Sequence, residues 1–145
     1  MTAQANVSLR PPTATQTDYV LLRRTLLANT IFSGGAGIAM ALFPNQLEAF
    51  MGGKNPEVLF LLGIGLIIFA VLTFTTARET PLNRMKGWIV FELDVLWVVA
   101  SAIALLTNLF ALNTAGNLLT LVAALSVADF AFFEWLGLRR GKANR

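Results

Sequence analysis

The segment Val58–Ala77, VLFLLGIGLIIFAVLTFTTA, contains 20 consecutive residues without a charged side chain. An α-helix rises about 1.5 Å per residue, so this segment is long enough to cross the roughly 30 Å hydrocarbon core of a bilayer. Arg78 follows it directly, and Pro81 interrupts the connection to the next apolar stretch. The segment therefore predicts a transmembrane helix.

The chain contains three further apolar segments of comparable length. Together with the first, they predict transmembrane helices at about residues 19–43, 58–77, 88–110 and 115–138. Pro44 ends the earliest of them, and the connection at 44–56 has room for one interfacial helical turn at 46–51. Since short connections make successive helices antiparallel neighbours, the predicted fold is all-α, a membrane-embedded antiparallel four-helix bundle.

The composition agrees with lipid as the main solvent. Hydrophobic residues make up 56% of the chain and charged residues 13%, against about 25% charged in soluble domains. There is neither His nor Cys, which removes the commonest ligands of haem, zinc and copper and the usual base at neutral pH. We therefore expect no catalytic residue, no metal site, no cofactor and no enzymatic activity. Nucleic-acid binding is also unexpected, because the basic residues form no stripe of their own.

The basic residues are distributed unevenly between the connections. Of the 11 Lys and Arg residues, only Lys54 lies outside the two termini and the connection between the second and third spans. Basic residues collect on the cytoplasmic side of a membrane. The pattern predicts that both termini are cytoplasmic. Residues 1–18 would form a flexible cytoplasmic tail, 19–138 the transmembrane domain and 139–145 a basic cytoplasmic tail.

The first span also has the pattern of an export signal. Arg23 and Arg24 precede an apolar stretch that contains Ala39-Met40-Ala41, an A-x-A cleavage pattern. The stretch is long for a signal peptide and no soluble cargo follows it, so a retained span is the preferred interpretation. Small residues recur at every fourth position along this span, which favours close helix packing: Thr25, Asn29, Ser33, Gly37 and Ala41.

Polar side chains inside the spans are the candidates for function. If the cytoplasmic edge of the membrane lies near Arg24, Ala77, Trp88 and Trp135, one polar residue of each span lies roughly 6–9 Å below that edge. These residues predict an intramembrane polar layer: Asn29, Thr73, Asp94 and Asp129. Secondary candidates adjoin the layer or share its helix faces: Glu92, Trp97, Ser101, Ser126, Arg23 and Arg24.

Helical spacing assigns directions to these side chains. Asp94, Trp97 and Ser101 share one face of the third span, and Asp129 shares a face of the fourth with Ser126, so both carboxyl groups are predicted to point into the bundle. Glu92 lies about 200° from Asp94 around the helix and must face elsewhere.

Three states are open for Asp94 and Asp129. They can be ionised and paired with Arg23 or Arg24, whose long stems reach inward. They can be protonated, because burial disfavours the charged form, or they can share one proton. The first state makes a clamp between helices near the cytoplasmic face. The other two make a proton-responsive site of the kind used in proton-coupled transport, and a bound cation or small polar ligand is a further alternative.

Five short segments of the chain have a pattern also found in a class of membrane proteins: residues 26–34 (LLANTIFSG), Phe43-Pro44, residues 62–66 (LGIGL), 94–98 (DVLWV) and 137–140 (GLRR). In these segments the chain resembles small bacterial four-span integral membrane proteins, loosely the DoxX-like families. The resemblance covers most of the chain and implies the four-span architecture and a location in the bacterial inner membrane, without an activity or a site. Small multidrug transporters also have four spans, but they carry an essential carboxylate in the first span, where this chain has only Asn29.

These observations predict a multi-pass membrane protein that is a non-enzymatic accessory or structural component, with an intramembrane polar clamp near the cytoplasmic face. Its expected partners are the lipid bilayer and either further copies of the chain or a larger membrane complex. The alternative is a small proton-coupled transporter or permeation unit that uses Asp94 and Asp129.

Overall fold

A computed structural model describes the backbone of residues 15–140 and the side chains of residues 20–139. It contains five helices: α1 (Thr15–Leu42), α2 (Pro44–Met51), α3 (Pro56–Arg78), α4 (Arg84–Leu106) and α5 (Thr114–Arg140). Four of them, α1, α3, α4 and α5, are long and apolar enough to cross a membrane. The prediction of an all-α, four-span fold is therefore confirmed.

The helix ends differ from the predicted ones at several points. α1 begins at Thr15, so part of the predicted N-terminal tail is helical, and residues 1–14 lie outside the described part of the chain. The third span ends at Leu106 rather than near residue 110, because Asn108 has a φ of 51°, a left-handed conformation that does not continue an α-helix. α5 continues to Arg140, past the predicted end at 138, and residues 141–145 of the predicted basic tail are also undescribed.

The connection predicted at 44–56 contains a complete short helix. Pro44 stands in the first turn of α2, where its missing N–H is not needed by the helix. The helix ends at Gly52, whose φ of 76° is the left-handed conformation that glycine adopts without strain. α2 lies across one end of the bundle and touches α1, α3 and α5. We call this the α2 end, and the end formed by the α3–α4 connection the opposite end.

The closest helix pair is α1 with α3. A Cβ atom added to Gly37 would lie 2.8 Å from the backbone oxygen of Gly63, and one added to Gly63 would lie 2.7 Å from the backbone nitrogen of Ala41. Glycine at these two positions lets the backbones approach, as the spacing of small residues in the first span predicts.

The other neighbours in the bundle are α1 with α5 and α5 with α4. Arg84 at the start of α4 donates to the backbone oxygen of Leu138 near the end of α5, 3.0 Å away, so these two helices are antiparallel. α3 and α4 are joined by a short connection, yet they make the fewest contacts of any consecutive spans. The bundle is therefore open between α3 and α4.

The apolar core lies toward the opposite end, where a cluster of buried side chains closes the bundle: Leu22, Leu26, Ala77, Leu82, Val90 and Leu138. The outward faces are also apolar. Ile31, Leu61 and Leu106 are exposed by 77%, 67% and 88%, respectively. Exposed apolar surface of this extent is typical of contact with lipid rather than with water, which agrees with a multi-pass membrane protein.

Candidate intramembrane polar site

Three helices meet at one buried asparagine. Asn29 on α1 is fully buried, and its Nδ2 donates to Asp94 Oδ2 of α4 at 2.6 Å and to Glu134 Oε1 of α5 at 3.2 Å. Its Oδ1 accepts a hydrogen bond from Ser33 Oγ, one turn along α1, at 2.9 Å. We call these four residues, Asn29, Ser33, Asp94 and Glu134, the polar cluster.

The chemistry of asparagine explains its central place. A side-chain amide carries two N–H donors and a carbonyl acceptor, and Asn29 uses both sides. Its two donors serve two carboxyl groups from different helices, while its acceptor holds the hydroxyl of Ser33. The amide therefore links α1 to both α4 and α5. For α1 and α4 this side-chain link matters most, because their backbones make no close approach along their described lengths.

The two carboxyl groups are close together and shielded from solvent. Asp94 is 2% exposed and Glu134 fully buried. Because Asp94 Oδ2 and Glu134 Oε1 bond the same nitrogen, they are less than about 6 Å apart. No Lys or Arg side chain among residues 20–139 forms an ion pair with either group. Two adjacent carboxylates without a cation repel each other strongly, and a shared proton removes that repulsion.

One oxygen of the cluster has no partner. Glu134 Oε2 is buried and makes no hydrogen bond to any part of the chain that the structure describes. A buried polar atom left unpaired costs about 1–3 kcal/mol. A proton that this oxygen shares with a neighbouring oxygen, or a small hydrogen-bond donor beside it, would supply the missing hydrogen bond.

Thr73 is close to the cluster but does not bond its carboxyl groups. It is fully buried, and its Oγ1 lies 2.8 Å from Thr30 Oγ1 on α1 and donates to the backbone oxygen of Ala70 at 2.9 Å. Thr73 thus joins α3 to α1 beside the cluster. Of the predicted polar layer, the structure brings Asn29 and Asp94 together directly and places Thr73 at their side.

The prediction that Asp129 of the fourth span points into the bundle is wrong. Asp129 is exposed, whereas Glu134 occupies the place assigned to it. The predicted edge of the membrane at Trp135 ignored the continuation of α5 to Arg140. That difference of five residues moves the layer by about 7.5 Å and turns it by about 140°. The signal for Glu134 was its spacing from two other residues of the buried face of α5, Ala131 and Leu138.

The arginines also differ from prediction. Arg23 donates to the backbone oxygen of Glu79 and to Thr80 Oγ1, both in the α3–α4 connection, and Arg24 is exposed. Neither pairs with Asp94 or Asp129. Arg23 therefore holds the connection at the opposite end, beyond the reach of the polar cluster.

The remaining secondary candidates are dispersed. Glu92 is exposed, as expected from its place on another side of α4. Ser126 is half-buried, and its hydroxyl bonds only the backbone oxygen of Val122 in its own helix, at 2.9 Å. Trp97 and Ser101 continue the Asp94 face toward the α2 end, where both line a cavity.

This cavity has a volume of about 280 Å³. It lies between α3, α4 and α5 and is closed on one side by α2. Its wall is mainly apolar, with Leu62, Ala104 and Ala123 among the lining residues. The polar cluster begins about one helical turn beyond Trp97, so the two features are neighbours along α4.

Among the described residues, no three His, Cys, Asp or Glu side chains are placed to hold a metal ion. Comparison with known proteins found no match to any protein-family model, curated protein or solved structure. The resemblance to DoxX-like proteins stays a prediction from the sequence.

Proposed function

We propose that this protein is a non-enzymatic structural component of a membrane assembly. The main partners in this assembly are further copies of the same chain. The observation that carries the proposal is the position of Asp129. This acidic residue is exposed on α5, on a surface that is otherwise apolar.

The depth of Asp129 makes its exposure costly. It lies about 16 Å from the end of α5 at Arg140 and about 22 Å from the start at Thr114, so it is near the middle of a helix about 40 Å long. A charged aspartate at the centre of a span costs about 2.5–3.5 kcal/mol for insertion. Within residues 20–139, Asp129 has neither a hydrogen bond nor an ion pair that would offset this cost.

The surface around Asp129 suits a helix of a second copy. Val122, Leu125 and Phe133 are exposed by 58%, 59% and 43%, and they lie within two turns of Asp129 along α5. We call these three residues and Asp129 the Asp129 face. The hydroxyl of Ser126 lies one turn away on the same side of α5. A two-fold contact between copies of the same orientation would place the two Asp129 side chains opposite each other with Ser126 beside them, so the two carboxyl groups would bond each other by sharing a proton. Such polar contacts between helices contribute up to about 1–2 kcal/mol in membranes.

The polar cluster has a separate role in this proposal. It is the clamp that holds α1, α4 and α5 within each copy, with Glu134 in place of Asp129. The support for a non-enzymatic role is the amino-acid composition, because the chain has neither His nor Cys, two residues that commonly act in catalysis.

Disulfide cross-linking in native membranes tests the assembly. Because the chain contains no cysteine, single substitutions report unambiguously. Leu125→Cys on the Asp129 face should form a cross-linked dimer. Ile68→Cys on α3, with a similar exposure of 66%, is the matched control and should not. Equal cross-linking at both positions would show random collision and refute the Asp129 face as a contact.

A substitution of Asp129 then tests the chemistry. Asp129→Leu should weaken dimerisation by about five- to thirtyfold, whereas Asp129→Asn keeps a hydrogen-bonding group and should retain most of it. The measurement is energy transfer between labelled copies diluted in lipid. If Asp129→Leu associates as tightly as the unaltered chain, the assembly does not depend on this residue.

A proton-coupled carrier is the second candidate, and the unpartnered Glu134 Oε2 favours it. In that case Asp94 would act with Glu134, not with Asp129. Proton uptake by reconstituted vesicles tests this function. A carrier should lose uptake in the Glu134→Gln variant at unchanged thermal stability, and vesicles that show no uptake above protein-free controls would exclude it.

The proposed location is the inner membrane of a bacterium, with both termini in the cytoplasm. The support is the uneven distribution of basic residues, with Arg78, Arg84 and Lys86 at the opposite end of the bundle. In cells, a cysteine placed at Asn113 should react with an impermeant thiol reagent, and one placed at Arg78 should not. The reverse pattern would invert the assigned orientation.

A further inference from the structure

We propose that the cavity between α3, α4 and α5 is a binding site for a single-chain amphiphile with an amine head group. This inference is independent of the assembly proposed above, because the cavity lies on a different part of the bundle from the Asp129 face. It rests on the size of the cavity, the position of its opening and the kind of side chains that line it.

The volume limits the size of the ligand. A dry, apolar cavity of about 150 Å³ in a protein core holds one benzene molecule, and this cavity measures about 280 Å³. By that comparison it holds roughly twelve non-hydrogen atoms. A two-chain phospholipid is several times larger, so the cavity selects a molecule with a single short chain.

The route into the cavity comes from the surrounding lipid. Leu59 and Leu62 of α3 form one wall, and Ala104 and Leu105 of α4 form the facing wall. These two helices make the fewest contacts of any consecutive spans, so the gap between them leads from the outer surface of the bundle to the cavity. An apolar chain can enter here without crossing water.

The polar groups are concentrated at the α2 end. Glu48 of α2 is the one charged residue that lines the cavity among the described side chains. Its Oε1 accepts a hydrogen bond from the backbone nitrogen of Asn55 at 2.6 Å, which fixes the carboxylate at the rim. Glu48 has no Lys or Arg partner within residues 20–139. A negative group without a cation favours a positively charged head group over a negative one.

The deep end of the cavity suits an apolar chain. Trp97 and Ser101 lie there on the inward face of α4, and Ala123 of α5 faces them. An amine bound at Glu48 would direct its chain past Ala104 toward Trp97. The head group then stays near the membrane surface at the α2 end, and the chain lies within the bundle.

The three tryptophans allow a direct binding assay. Trp97 lines the cavity, whereas Trp88 and Trp135 do not. In a Trp88→Phe/Trp135→Phe protein, the only tryptophan fluorescence comes from Trp97. Reconstituted in lipid nanodiscs, this protein is titrated with an alkylamine that carries bromine, a fluorescence quencher, at its far end. Binding should quench Trp97 with a saturable curve.

Two comparisons separate the site from partitioning into lipid. A Trp88→Phe/Trp97→Phe protein, which reports from Trp135, should show only weak, non-saturating quenching. Ala104→Phe, which fills the cavity, should remove the saturable component, and Ala102→Phe, on the exposed side of the same helix, should leave it unchanged. Identical curves for the two phenylalanine variants would refute the cavity as the binding site.

The preference for an amine head group is tested separately with Glu48→Gln, a substitution that leaves the volume of the cavity almost unchanged. The substitution should weaken the brominated amine by about fivefold, the effect of one partly exposed ion pair, and leave the matched brominated alcohol unchanged. Thermal stability of each variant is measured in the same nanodiscs. Tighter binding of the matched carboxylic acid than of the amine, or an unchanged amine affinity in Glu48→Gln, would overturn the assignment of the head group. An unbrominated two-chain phospholipid should not relieve the quenching by the amine, and relief of the quenching by it would identify ordinary bilayer lipid as the occupant.

Discussion

Replacing Asn29 with alanine is the sharpest test of the polar cluster. The substitution removes the donor of two hydrogen bonds, to Asp94 Oδ2 and Glu134 Oε1, and the acceptor of a third, from Ser33 Oγ. All four residues are almost fully buried, with Ser33 and Asp94 both at 2% exposure. Water therefore cannot readily replace the amide.

The expected loss follows from these three bonds. The two hydrogen bonds between helices average about 0.6 kcal/mol each in membranes, and the third, to Ser33 within α1, contributes about as much, so the lost bonds alone account for about 2 kcal/mol. The two carboxyl groups left behind can share a proton with each other, so the remaining unpaired group adds at most about 2 kcal/mol. We expect Asn29→Ala to lower the free energy of unfolding by about 2–4 kcal/mol.

Reversible unfolding in mixed micelles, titrated with a denaturing detergent, measures this difference. The matched control is Asn117→Ala, because the Asn117 side chain makes one hydrogen bond, from Nδ2 to the backbone oxygen of Leu112 at 3.2 Å, and is half-buried. That variant should lose only about 0.5–1 kcal/mol. If the two variants unfold alike, Asn29 does not clamp the helices.

A double-mutant cycle shows whether Asn29 and Asp94 act as one unit. Asn29→Ala and Asp94→Ala should be less costly together than the sum of the two single effects, because both remove the same hydrogen bond. Strict additivity would mean that the two side chains contribute independently, in conflict with the 2.6 Å contact between them.

Two further predictions concern helix packing and the opposite end of the bundle. Gly63→Ala should destabilise the fold by about 1–3 kcal/mol through overpacking against α1, whereas Gly65→Ala, where an added Cβ meets nothing within 4 Å, should be neutral or stabilising by thermal unfolding. Equal effects would mean that close packing of α1 and α3 is unimportant. Lys86→Ala removes the ion pair with Glu79, a pair in which both side chains are about a third exposed, and should cost under about 1 kcal/mol in the same assay; a larger loss would show that this pair, rather than the polar cluster, secures the connection.

The clamp and the Asp129 face place the acidic residues of the spans in two different environments. Asp94 and Glu134 each accept one hydrogen bond from Asn29, and Glu134 Oε2 has no partner among the described residues. Asp129 is on the outside and has no hydrogen bond or ion pair within residues 20–139. The assembly hypothesis therefore concerns the Asp129 face, whereas the carrier hypothesis concerns Asp94 and Glu134.

Much of the architecture follows from the amino-acid sequence. The number of spans depends on runs of apolar residues long enough to cross a bilayer, and such runs can be counted without knowing how the helices pack. Close packing of the first span was also indicated, because Gly37 belongs to a stripe of small residues, whereas its partner helix, α3, was not predicted. Asp94 was placed inward correctly, since it shares a helix face with Trp97 and Ser101.

The tertiary structure was needed to identify the fourth-span member of the cluster. A helix face is defined only relative to its neighbours, and an assumed membrane edge at Trp135, five residues before the end of α5, exchanged Glu134 for Asp129. The opening between α3 and α4 also depends on the packing of all four helices. Because α3 packs against α1 and α4 packs against α5, α3 and α4 lie apart, and no local sequence pattern in α3 or α4 predicts that separation.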